Sequence, residues 1–172
     1  MALRTIVTPP DPVLRQRAVK VRHLTPDVVQ LIEDMLETMR QAPGVGLAAP
    51  QVGVSQRVIV VEYAEPADEG EAENPPKLFV MVNPEILRKS AEMLTGTEAC
   101  LSVPGYAGTV ERHEWITVRG LNGRGQPVRV KAQGWLARIF QHEIDHLDGI
   151  LYIDRATQMW KPEESEAVAD TV

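Results

Sequence analysis

Apolar residues recur at Val28, Leu31, Ile32, Met35, Leu36 and Met39. That spacing lines one face of a helix and predicts an amphipathic helix over residues 26–41. Thr25 stands as its N-cap, Pro26 at the first helical position and Asp27 in the first turn, and Pro43-Gly44 ends it. Residues 44–53 read as extended. The β-branched run from Arg57 to Tyr63 predicts a strand, with further strands at about 78–82, 86–94 and 108–121. Asn122-Gly123-Arg124-Gly125 is a turn signal, and Val128 to Ala132 returns as a strand. Trp135 to Leu147 predicts a second helix, with Leu136, Ile139, Phe140, Glu143 and Leu147 near one face and Asp148-Gly149 as its stop. Ile150-Leu151-Tyr152-Ile153 reads as a last short strand. The pattern is that of an α+β domain of mostly antiparallel strands packed around a central helix. Residues 1–160 form that single domain, and 161–172 an acidic tail expected to be mobile.

The length of 172 residues agrees with one domain. The longest apolar run, Leu78-Phe79-Val80-Met81-Val82, is far short of the ~20 residues of a membrane helix. Met1-Ala2-Leu3-Arg4-Thr5 shows no apolar core of a secretory signal, so a cytoplasmic setting is expected. The net charge of −6 is unevenly spread. Residues 64–77 carry −4 and residues 161–172 carry −3, so the remainder sums to +1. No run of Lys or Arg points to direct nucleic-acid binding. The single cysteine, Cys100, excludes an intramolecular disulfide.

The sharpest chemical signal is Gln141-His142-Glu143-Ile144-Asp145-His146. His142 and His146, four residues apart on a helix, present two imidazoles to one metal ion. Glu143 comes directly after the first ligand, where its carboxylate reaches a metal-activated water. A catalytic site of this kind needs a third protein ligand and an open fourth position. A third histidine six residues past the second is excluded, because Tyr152 occupies that place. Glu166, 20 residues past His146, offers a carboxylate and would make the chain a zinc endopeptidase. Cys100, in Glu98-Ala99-Cys100-Leu101-Ser102 ahead of the Pro104-Gly105 turn, offers a thiolate. On residue chemistry alone both stay open, as does a structural metal site in a binding module.

Three segments together resemble the peptide deformylase family: Gly44-Val45-Gly46-Leu47-Ala48-Ala49-Pro50-Gln51, Glu98-Ala99-Cys100-Leu101-Ser102, and Gln141-His142-Glu143-Ile144-Asp145-His146-Leu147-Asp148-Gly149. The resemblance runs from about residue 3 to 160. One position departs from it: the family usually has Glu-Gly-Cys, and here Ala99 replaces the glycine. Ala99 is tolerated if the backbone there is ordinary extended chain, and strained if it needs a positive φ.

The resemblance implies a hydrolase that removes the formyl group from N-formylmethionyl termini of nascent polypeptides, releasing formate. It implies Cys100, His142 and His146 as ligands of one divalent ion, Fe(II) in the usual case, with Zn, Ni or Co as substitutes. Glu143 would carry the proton, and Gln51 with the backbone N–H of Leu101 would hold the oxyanion. Gly44-Val45-Gly46-Leu47-Ala48-Ala49 also fits a dinucleotide fingerprint. That reading fails, because a helix precedes the segment and Pro50 interrupts the helix that would have to open after it. The resemblance instead lays the substrate backbone along Val45 and Gly46. By motif position Leu101, Trp135, Arg138 and Ile139 line the methionine pocket, with Arg138 at its mouth and its guanidinium turned outward. Glu98 and Arg112 are expected to pair behind the ligands, and Asp145 to orient a ligand histidine. His23 and His113 carry no role. Nascent N-formylmethionyl peptides are the expected partners, and no membrane contact is expected. The translating ribosome is raised as a further partner, although the short, net-negative tail does not match the C-terminal extension through which some family members dock.

Overall fold

A computed structural model describes residues 2–163. The chain builds two antiparallel sheets and lays one long helix between them. The first helix, α1 (Pro26–Gln41), begins where its cap predicts: Thr25 accepts from the Val28 N–H through its side chain. The strands come next, as β1 (Gly46–Ala48), β2 (Val58–Tyr63), β3 (Lys77–Lys89), β4 (Met93–Cys100), β5 (Val103–His113), β6 (Trp115–Leu121) and β7 (Pro127–Gln133). Helix α2 (Gly134–Leu147), a helical turn α3 (Tyr152–Arg155) and β8 (Gln158–Trp160) close the chain. One sheet has the order β1-β2-β3-β6-β7 and the other β4-β5-β8.

The five-stranded sheet is covered on both faces over β1, β2 and the first half of β3. Alternate residues of β2 go to opposite cores. Ile59 and Val61 pack with Met81, Ile116, Val118, Ile139 and Phe140 under α2. Val58 and Val60 pack with Leu31, Met35 and Met39 of α1. This explains why the first four residues of β2, Val58, Ile59, Val60 and Val61, are an unbroken β-branched run rather than an alternating one.

Four boundaries differ from the sequence reading. Residues 78–82 and 86–94 do not form two strands. β3 runs through Pro84 by a bulge, with its register shifted between Val82 and Glu85. Asn83 adopts φ 54 there, and its side chain bonds both the N–H and C=O of Val21. Residues 108–121 are split at Glu114, where the chain leaves one sheet for the other. Within 44–53 only β1 is a strand, and Ala49–Val52 forms a 3-10 turn. Residues 150–153 are not a strand: Gly149, at φ 74, reverses the chain, and Asp154 accepts from the Leu151 N–H to close the turn α3. The short strand β8 lies at the end of the domain, just before the segment read as tail. The part of that tail from 164 to 172 lies outside the described residues, as does Glu166. No described helix is long and apolar enough to cross a membrane.

Candidate metal centre

Helix α2 crosses the interior, so polar residues on it are buried along with apolar ones. From Ala137 to Leu147 every residue is buried, including Arg138, His142, Glu143, Asp145 and His146. Burying ionisable groups is costly unless each finds a partner. Most do, and the exceptions mark the site.

Cys100, His142 and His146 meet. One ligand atom from each lies within 4.8 Å of the others. The Cys100 Sγ is 3.4 Å from His146 Nε2. A tetrahedral ion with bonds of ~2.3 Å to sulfur and ~2.1 Å to nitrogen holds those two atoms about 3.6 Å apart. His142 donates Nδ1–H to Glu98 across 2.8 Å, which leaves Nε2 as a lone-pair donor. That Nε2 is buried with no hydrogen-bond partner among the described residues. Burial, with the positive charge of Arg112 adding to it, pushes His146 well below its ordinary range, so it stays neutral. The donors therefore fit a divalent ion. Burial first, then the charges of Glu143 and Glu98, push the Cys100 thiol up, so a bound cation would be needed to make it a thiolate.

Glu143 sits beside these donors. Both of its carboxylate oxygens are buried and lack a hydrogen-bond partner among the described residues, and Oε1 is 3.9 Å from His142 Nε2. Burial raises its pKa well above the ordinary carboxylate range, and Glu98 adds to the rise. Gly46 of β1 is its near neighbour. A Cβ there would stand 2.9 Å from the Glu143 carboxyl carbon, and one on Gly44 would stand 2.8 Å from Leu101 Cδ1. The small residues at and before β1 are thus the wall that lets Glu143 and Leu101 approach the open edge of the sheet.

Gln51 is fully buried in the 3-10 turn after β1. Its Oε1 accepts from the Ala48 N–H at 3.0 Å, which aims Nε2 at Cys100 Sγ (3.5 Å) and Ser102 Oγ (3.2 Å). Leu101 comes after Cys100 in the tight turn between β4 and β5. Ala99 lies within β4, and Asn83 is the single non-glycine residue with positive φ among those described. The methyl group in place of the family's glycine therefore sits at a strand position that needs no positive φ, at the register shift between Glu98 and Cys100.

Behind Cys100, His142 and His146 lies a charge network. The Glu98 carboxylate accepts from His142, from Arg112 through Nε and Nη2 at 2.9 Å each, and from Arg138 Nη1 at 2.7 Å. Burial opposes its charge, but the Arg112 and His142 hydrogen bonds outweigh that and hold its pKa below the ordinary range. Two expectations are corrected here. Arg138 does not turn outward at a pocket mouth. It is 4% exposed, donates to Glu98 and to the carbonyls of Val110 and Leu94, and stacks 5.7 Å from the Trp135 ring. Glu98 draws it inward, and Gly96 makes room, since a Cβ there would meet the guanidinium at 2.8 Å. Asp145 does not orient a histidine. It accepts from Arg112 Nη1 and Arg155 Nε, both at 2.6 Å. Adjacent helix positions point about 100° apart, so Asp145 faces away from the ring of His146.

Arg138→Leu is expected to leave the Glu98 carboxylate short of one buried donor and to loosen His142. Metal affinity, read by competition with a chromophoric chelator, should fall about 10- to 100-fold. An unchanged affinity would show that Arg112 alone holds Glu98.

Three contributors escaped the sequence reading. Tyr152 stacks on His142, with ring centroids 5.9 Å apart and planes at 24°, and packs on Cys100. Its signal was present: it occupies the place after H-E-x-x-H-x-x-G where the chain turns back over the site. Gln141 holds both the N–H and the C=O of His113 at 2.9 Å, locking α2 to the end of β5. Ser102 receives the Gln51 amide. Trp135 is half-buried, and Ile139 is fully buried in the core under α2.

Known proteins are similar to nearly the whole chain. The family model described as polypeptide deformylase matches residues 3–161. The peptide deformylase of Desulforudis audaxviator (strain MP104C) is 51% identical over 164 residues, covering 95% of this chain and all of the relative. Peptide deformylase from Ehrlichia chaffeensis in complex with actinonin superposes with a TM-score of 0.83 at 40% identity, covering 92% of this chain and 91% of that one. Met-ala-ser bound class I type b peptide deformylase from Acinetobacter baumannii gives 0.81 at 41%, covering 90% and 98%. A match that spans both sheets, α2 and every segment that converges on Cys100 leaves one assignment: this chain belongs to the polypeptide deformylase family.

Proposed function

We propose that the chain hydrolyses the formamide of N-formylmethionyl peptides, giving formate and a free amino terminus. The observation that carries this reading is the convergence of Cys100, His142 and His146, with the unpartnered Glu143 carboxylate beside them. These three residues would hold the ion, which we assign as Fe(II), with Zn, Ni and Co as substitutes that the same donors suit. Such an ion lowers the pKa of a water and polarises a carbonyl oxygen.

The remaining chemistry belongs to the chain. Glu143 takes a proton from the attacking water and returns it to the leaving nitrogen. Its dry surroundings favour both roles, because a carboxylate that resists ionisation is a better base and an available acid. Gln51 Nε2, aimed by the Ala48 N–H, and the Leu101 N–H would receive the charge that develops on the formyl oxygen. Loss of one such donor typically costs ~3 kcal/mol of transition-state stabilisation.

The substrate chain would pair with Val45 and Gly46. β1 is an edge strand bonded to β2 on one side, and such an edge accepts an extended peptide main chain to main chain. Pairing of this kind reads no side chains, which suits an enzyme of many nascent peptides. Leu101, Trp135 and Ile139 would take the methionine side chain. The tripeptide Met-ala-ser bound in the A. baumannii relative has the composition of such a product. The reading includes a cytoplasmic setting and nascent chains as partners.

The test is anaerobic purification with metal analysis and an assay of formate released from formyl-Met-Ala-Ser. One ion per chain is expected, with activity lost on chelation and regained when a divalent ion is returned. Full activity in metal-free protein would sink the reading.

A further inference from the structure

Helix α1 covers this face of the five-stranded sheet over β1, β2 and the first half of β3, where Val80, Val82 and Leu121 join its core, and the rest of the face, across residues 85–89, 115–119 and β7, lies outside that core. Register shows which side chains stand on it, because directly paired residues of neighbouring strands share a face. Arg88, Thr117 and Lys131 form one row. Glu85, Arg119 and Arg129 form the next. Trp115 and Gln133 form a third, on the other side of the first. Inward neighbours Ile116, Val118 and Val130 go to the core, so these residues face out.

Two properties of this face need a reason beyond solubility. Arg119 and Arg129 stand directly opposite each other, and like charges so placed destabilise a sheet. Arg88, Arg129 and Lys131 are exposed and have no carboxylate partner among the described residues, while Glu85 is tied to Arg119. The cations border a groove of about 440 Å³ whose other walls are Leu87, Thr117 and the half-buried Trp115. A second groove, of about 460 Å³, continues from Arg129 past Arg119 to Lys20. At the free edge of β7, Arg129 and Lys131 also border a third groove, which Glu65 shares.

We infer that this face binds a single strand of RNA, with phosphates along Arg88, Lys131 and Arg129 and a base on Trp115. The argument is charge complementarity together with a ring among the cations, the combination that holds single strands without reading sequence. An acidic peptide would use the cations and leave the ring unused. No run of basic residues announces the track, because its charges come from three strands. The choice of RNA over other polyanions rests on the proposed function, since an enzyme of nascent chains works beside the RNA that makes them. The topology permits both engagements together. β7 lies four strand spacings, about 19 Å, from the β1 edge where the peptide would pair. A chain held by RNA keeps that edge free.

The test is fluorescence anisotropy of a labelled ten-nucleotide oligouridylate titrated with the full chain. Expected are a Kd of about 1–100 µM at physiological salt and a slope of log K against log salt near −2, as for about three phosphates. The triple variant Arg88→Ser, Arg129→Ser, Lys131→Ser should weaken binding at least tenfold while formate release from a free formylated tripeptide stays within twofold. Trp115→Ala should weaken it at least fivefold, and Trp115→Phe should restore most of the loss. Failure of the wild-type chain to bind, equal binding by the triple variant or by Trp115→Ala, or equal binding of a ten-residue polyglutamate would each overturn the inference. RNA binding is read without turnover, so this outcome and that of the formate assay are separable.

Discussion

Glu143→Gln is expected to keep the fold and the metal and to lose between about 10² and 10⁴ of formate release, near the upper end because one carboxyl serves as base and then as acid. The amide fills the same volume, so neither the core nor the approach of Gly46 changes. The variant also separates chemistry from structure through pH. Burial raises the folded pKa of Glu143. The stability of its protonated form is therefore fully present below its unfolded pKa of ~4.3 and is lost as pH rises through the folded value. Gln behaves as a permanently protonated carboxyl. The metal-free variant should thus exceed metal-free wild type in urea midpoint at pH 8 and match it near pH 4. A Glu143→Gln protein that still releases formate at the wild-type rate would remove Glu143 from the mechanism and leave a structural metal site as the better account.

Cys100→Ala is expected to abolish both metal retention and activity at micromolar chelator. One of the three proposed donors is lost, and His142 and His146 alone would hold the ion weakly. The fold should survive, because Cys100 is a small buried side chain and its truncation leaves a small cavity, costing about 1 kcal/mol. Thermal unfolding of the metal-free variant and wild type checks that point. The same experiment decides the carboxylate alternative, since a site completed by Glu166 would keep its metal in Cys100→Ala and lose it in Glu166→Ala.

The parts of the site that could be read along the chain are those governed by local spacing. His142 and His146 are one helical turn apart, and Glu143 stands between them. The helix signals at Thr25-Pro26 and Asp148-Gly149 were equally local, and both helices appear within a residue of where they were expected. Strand ends were less legible. Pro84 reads as a break, yet β3 passes through it because Asn83 turns the backbone and borrows hydrogen bonds from Val21. Glu114 reads as continuous strand, yet it marks a change of sheet. Periodicity reports which face is buried and is silent about which partner buries it.

Side-chain direction was the least legible. Arg138 looked like a snorkelling residue because a guanidinium on a buried helix usually reaches for water. It turns inward because Glu98, on a distant strand of the chain, offers it a buried carboxylate. Asp145 looked like a histidine partner because it is the next residue, and it serves Arg112 and Arg155 instead.

By itself, then, the order of residues determined the two helices, the pair of imidazoles and the carboxylate between them, because each depends on contacts within one turn. It also held the motif set that resembles the family. Only the tertiary structure decided that Cys100 reaches His146, that Glu98 rather than Asp145 holds His142, that Tyr152 roofs the site and that scattered cations share one face. Those are contacts between distant segments, and their geometry is set by how two sheets close around α2, which no local pattern encodes.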